Sequence, residues 1–125
     1  MNERLAEQVR RLYEEAWQGK GKWETSLAAA EVLLREHLET EPECIEALTS
    51  LGAVLSDLGR HDAAIAVLRR AVAHEPADAN AYFNLAAAMM NVTKQRRNAM
   101  RWFRKADAHD QSPSTLRAYF DPHGH

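Results

Sequence analysis

An internal repeat constrains this chain more than any other feature. Pro42 and Pro76 stand 34 residues apart, each preceded by a glutamate. Between them, counting Ile45 as position 1, Leu48, Leu51, Gly52 and Leu55 occupy positions 4, 7, 8 and 11. Gly59 follows at 15, Ala64, Leu68 and Ala71 at 20, 24 and 27, and Pro76 at 32. The first four positions fall on one stripe of a helix, and the group from 20 to 27 on one stripe of a second. Small residues at 8 and 20 let the two helices approach closely, and Leu68 fills the gap beside them. Gly59 is placed to end the first helix by entering left-handed backbone, and Pro76 to stop the second.

The next 34 residues, 79–112, keep the pattern with defects. Tyr82, Leu85, Ala86 and Met89 hold positions 4, 7, 8 and 11, and Thr93 replaces the turn glycine. Ala99, Phe103 and Ala106 continue it if the turn Lys94–Asn98 holds one extra residue. Ahead of the clear unit, Leu5, Val9, Leu12 and Ala16 make a helical stripe, Gly19 and Gly21 a turn, and Trp23-Glu24 begins a longer helix. Six helices are therefore predicted, over 3–18, 23–38, 43–57, 61–73, 78–91 and 95–108. A short seventh follows over 112–120, with Ser112 as N-cap and Pro113 at its first position. Leu116, Tyr119 and Phe120 give it one apolar side, fit to cover the exposed end of a stack near Met100 and Phe103. Residues 121–125 form a tail.

This pattern resembles the tetratricopeptide repeat, W-x2-L-G-x2-Y, then A-x3-F, then P, with nine placed positions over residues 45–76. The resemblance extends loosely over nearly all 125 residues. It implies an all-α fold, an α-solenoid of about three helix-turn-helix hairpins (3–42, 43–76 and 77–111) with a short C-terminal capping helix, in one domain. Composition agrees: Gly (5) and Pro (4) are scarce, and an apolar fraction of 46% with 27% charged residues suits a folded helical domain.

Composition also narrows function. The chain opens on a mixed-charge segment without a signal peptide's apolar core, and no stretch reaches the roughly 18 apolar residues of a membrane span. A cytoplasmic setting is expected. Twelve arginines against four lysines, with many alanines, suggest a GC-rich bacterial genome. Cys44 is a single cysteine among Glu41, Glu43 and Glu46, which favour the thiol over the thiolate, so a redox or catalytic role is not expected. Net charge is −2, split as −5 over residues 1–46, −1 over 47–90 and +4 over 91–125, so nucleic acid is not an expected partner.

No catalytic motif is present: no phosphate-binding glycine loop, HExxH, GxSxG or Cys-x-x-Cys. Histidines 37, 61, 74 and 109 are scattered, and His123 and His125 sit in a terminal tail without a second shell to fix metal ligands. Neither an enzyme, a metal site nor a cofactor is expected. On the sixth helix Arg97, Arg101 and Arg104 recur at i, i+4 and i+7 beside Trp102, making a basic outer face. That face is read mainly as solvated, with an acidic protein as the partner it would suit.

The resemblance further implies that a partner peptide or helix lies against the first helix of each repeat. The corresponding wall residues are Glu46, Thr49, Ser50, Ala53, Ser56 and Asp57, then Asn80, Phe83, Asn84, Ala87, Met90 and Asn91. Asn80, Asn84 and Asn91 share a stripe, and an amide both donates and accepts, which suits a grip on peptide backbone. Asn80 and Asn91 also suit a helix start and end. Some family members clamp a C-terminal carboxylate with Lys, Asn and Arg. Here those places hold Arg10, Glu14, Ser50, Asn80 and Asn84, and only Arg10 keeps the required sign, so an internal peptide or amphipathic helix is the expected ligand. The expected function is that of an adaptor or chaperone-like module, monomeric or weakly self-associating, with small bacterial secretion chaperones as one subtype. The rival expectation is a structural protein that assembles head to tail through its acidic and basic ends.

Overall fold

The computed structural model describes residues 1–19 and 22–109. Six α-helices follow one another: α1 (Glu3–Trp17), α2 (Trp23–Thr40), α3 (Ile45–Asp57), α4 (His61–Val72), α5 (Asn80–Met90) and α6 (Arg96–His109). Each packs against the next along the chain, and α3 also meets α5, so three antiparallel hairpins stack into an α-solenoid. The expected capping helix 112–120 and the tail 121–125 lie outside the described residues.

Local chemistry sets the helix ends. The Asn2 side chain accepts a hydrogen bond from the Leu5 amide at 2.8 Å and caps α1. Gly59, at φ +84°, makes the left-handed turn between α3 and α4. Glu75 takes φ +50° immediately before Pro76, where helical backbone is sterically disfavoured. The buried Tyr82 hydroxyl then donates to the Pro76 carbonyl at 2.8 Å and ties that turn to α5.

The core holds the predicted stripes. Leu48, Leu51, Leu55, Ala64, Leu68 and Ala71 are buried between α3 and α4, and Tyr82, Leu85, Ala86, Met89, Ala99, Phe103 and Ala106 between α5 and α6. Gly52 earns its place by proximity: a Cβ there would stand 2.7 Å from Leu68 Cδ1 and nearer still to Cγ.

Several boundaries move by one or two residues, α3 beginning at Ile45 rather than 43 and α5 at Asn80 rather than 78. The helix α2 runs to Thr40 rather than 38, because its backbone ladder continues to the Glu41 amide on the His37 carbonyl at 3.0 Å. Before α6, a 3-10 turn over Thr93–Gln95 leads directly into helix at Arg96. The missing turn glycine is thus accommodated by tighter winding, and Asn98 lies inside α6 rather than in the turn.

Candidate functional site

The first helices of the three hairpins line a trough. From α1 come Ala6, Val9, Arg10, Tyr13 and Glu14, from α3 Glu46, Thr49, Ser50 and Ala53, and from α5 Asn80 and Asn84, around a cavity of about 380 Å³. An adjoining cavity of about 540 Å³ shares Glu46, Thr49, Ser50 and Asn80 and continues between Ile45, Pro76, Asp78 and Ala81. The structure thus brings six of the predicted wall residues together: Glu46, Thr49, Ser50, Ala53, Asn80 and Asn84.

The other predicted residues are held differently. Asp57 accepts a hydrogen bond from the Tyr13 hydroxyl, joining α1 to α3. Burial pushes its carboxyl up, and the nearby His61 partly offsets this. Ser56 Oγ is 3.1 Å from His61 Nδ1. Phe83 is half-buried, its ring edge-on to buried Phe103 at 5.6 Å between centroids. Met90 packs against the core, and its carbonyl accepts from Arg96 Nε at 3.1 Å. Asn91 ends α5, with its amide donating to the Ala87 carbonyl at 3.0 Å. Asp78 caps the start of α5 by accepting the Asn80 amide at 2.6 Å. Asn84 differs: it is half-buried, and its side chain makes no hydrogen bond among the described residues.

Sequence reasoning missed two features. Tyr13 belongs to the trough, a place recoverable only by carrying the wall positions back into the weakly patterned first unit. From it an aromatic ladder runs outward: Tyr13 to Trp17 at 6.4 Å, and Trp17 stacked on Trp23 at 6.5 Å. Trp17 is 60% exposed and Trp23 40%, so this ladder leaves apolar surface at the turn between α1 and α2.

On the basic face, Arg97, Arg101 and Arg104 are exposed and form no ion pair among the described residues. Trp102 is half-buried, stacked on Tyr82 at 6.4 Å and covered by Arg101 at 5.2 Å and Lys105 at 6.0 Å. Its ring therefore helps to seat α6 on α5. The acidic end is less bare than its sequence, since Glu7 and Glu14 pair with Arg10, and Glu31 with Arg35 and Arg60. Burial opposes the ionisation of Glu31, yet the two arginines outweigh it and hold its carboxyl below the usual range.

No helix among the described residues is long and apolar enough to cross a membrane. A family model described as "TPR repeat" matches residues 52–92. No curated protein matches the chain in sequence. Among solved structures, a mutant of the Thermobaculum terrenum O-GlcNAc transferase superposes with a TM-score of 0.65 at 25% identity. That match covers 90% of this chain and 21% of the transferase, so the chain spans about a fifth of that protein's length. The stacked hairpins, the Gly52–Leu68 contact and the family match over residues 52–92 converge on one conclusion: the described chain has the fold of tetratricopeptide repeats, a repeat that generally serves protein–protein interaction.

Proposed function

We propose that this protein acts as a non-enzymatic adaptor or chaperone-like module, holding one segment of a partner protein in the concave trough. The observation that carries this is the half-buried Asn84 amide, without a hydrogen bond among the described residues, one helical turn from exposed Asn80 and facing the same trough as Thr49 and Ser50. Half-buried amides gain most from a ligand that satisfies them, and a peptide backbone supplies both a donor and an acceptor. The aromatic ladder adds a second contact, since exposed Trp17 and Trp23 offer a shelf for one apolar side chain of the same segment. Such a ligand is an internal peptide or an amphipathic helix, met in the cytoplasm.

A pull-down from native lysate tests this. The parent is expected to recover a partner, and the double variant Asn80→Ala/Asn84→Ala, with unchanged helical circular dichroism, to bind it about 5–150-fold more weakly. That factor corresponds to two lost hydrogen-bonding groups at about 0.5–1.5 kcal/mol each. Equal recovery by the double variant, with loss on Arg97→Glu/Arg101→Glu, would move the site to the convex basic face.

Head-to-tail assembly is tested separately by sedimentation. The paired state of Glu7, Glu14 and Glu31 argues for a monomer or weak dimer at physiological salt. A mass that climbs with concentration and collapses as salt is added would establish assembly instead.

A further inference from the structure

The corner between α2 and α3 gathers three different metal-binding side chains. His37 lies in the last turn of α2, Glu41 is four residues on at its C-cap, and Cys44 is the N-cap of α3. The histidine nitrogen, a carboxylate oxygen of Glu41 and Cys44 Sγ all lie within 4.8 Å of one another. A run of backbone bonds fixes this arrangement. The His37 carbonyl accepts from the Glu41 amide and the Thr40 hydroxyl, both at 3.0 Å, and the Cys44 amide donates to the Glu41 carbonyl at 3.2 Å.

The state of His37 is the second observation. Its side chain is 15% exposed, and Nε2 is sealed from solvent without a hydrogen bond. Glu41 Oε2 stands 2.7 Å away, but off the direction that an N–H···O bond requires. A buried ring nitrogen at ion-pair distance from a carboxylate and close to a thiol, with no hydrogen bond formed to either, is placed to serve as a ligand.

We infer that His37 Nε2, the Glu41 carboxylate and Cys44 Sγ form a binding site for a divalent d-block cation, with zinc as the best match. Imidazole and thiolate together select zinc-like ions over calcium or magnesium, which take oxygen donors. Three protein ligands leave a fourth position for water. Binding displaces the thiol proton to solvent, and Glu41, 61% exposed, has the freedom to open the spacing to metal-ligand geometry. The Met1 amino group, 3.6 Å from Sγ, is a weak hydrogen-bond donor to the sulfur. A bound ion would staple α2 to α3 and so fix the first hairpin, whose α1 forms one wall of the trough, against the second. The site stands whether or not the trough binds a peptide.

Cobalt(II) reports directly on thiolate ligation. Titrated into the reduced full chain, Co2+ is expected to bind at one equivalent with a near-ultraviolet sulfur-to-cobalt charge-transfer absorption that Zn2+ bleaches. Cys44→Ser should abolish the absorption and weaken binding about 10–100-fold or more, and His37→Gln should weaken it likewise. Zinc should raise the melting temperature of the parent by several degrees but leave that of Cys44→Ser unchanged. Serine is nearly isosteric with cysteine, so Cys44→Ser carries the test even if the His37 variant folds poorly. His123→Ala/His125→Ala should keep the absorption. The site is overturned if the parent shows no charge-transfer absorption, if binding survives Cys44→Ser, or if only the tail variant loses it.

Discussion

Replacing Phe103 with alanine is expected to destabilise the protein by about 3–5 kcal/mol, the usual cost of emptying a large aromatic site in a packed core. The size of the loss follows from how α6 is held. Among the described elements it packs chiefly on α5 and the 3-10 turn, and its buried residues are Ala99, Phe103 and Ala106. Phe103 is the single large one and is fully buried. Domains of this size are stable by only about 5–15 kcal/mol, so the variant should melt roughly 10–20 °C below the parent. Phe103→Leu keeps most of the volume and should cost less than about 1.5 kcal/mol. Thermal unfolding followed by circular dichroism separates these outcomes; a Phe103→Ala melt within a degree or two of the parent would mean that α6 is seated by Trp102 instead. The same substitution removes the edge contact that half-buried Phe83 makes across the α5–α6 seam.

That linkage shows where sequence reading stops. The middle hairpin is legible because each of its special residues has one physical use: Gly52 for close approach, Gly59 for positive φ, Pro76 to break a helix. Asn84 stands out on the same grounds, as a poor helix former at mid-helix with no capping duty, and its groove role is the one we propose. Phe83 is not legible, because position counting places it on the wall, while the partner of its ring sits on the following helix, 20 residues away in sequence. Asp57 is similar: its hydrogen bond to Tyr13 spans 44 residues, across a first unit whose pattern is too weak to predict the pairing. The metal-ligand corner was hidden for another reason. The i, i+4 spacing of His37 and Glu41 is written in the chain, but Cys44 joins them only through the turn at Glu41-Pro42, whose path local propensity does not define. Judged by its acidic neighbours alone, Cys44 looks inert; placed beside a buried imidazole it becomes a ligand.

The second large effect is expected at Gly52 and Leu68, where the two helices of the clear repeat come closest. Leu68 is fully buried, and Leu68→Ala should cost about 2–5 kcal/mol through lost burial and the cavity left behind. For Gly52→Ala two effects oppose one another. Alanine favours the helix by about 0.8–1.0 kcal/mol, but its Cβ would meet the Leu68 side chain well inside normal contact distance. The neighbour has nowhere to retreat in a filled core, so the overlap wins and the net cost should be about 1–3 kcal/mol. In the double variant the clash disappears, the added methyl group occupies part of the cavity, and the helix preference of alanine is recovered. Gly52→Ala/Leu68→Ala should therefore be no less stable than Leu68→Ala alone, giving a coupling of about 1–3 kcal/mol in a double-mutant cycle measured by denaturant unfolding. Additivity within about 0.5 kcal/mol would show that the helices can shift apart without penalty. Close approach would then not be what Gly52 supplies, and the tight packing of α3 on α4 would need another cause.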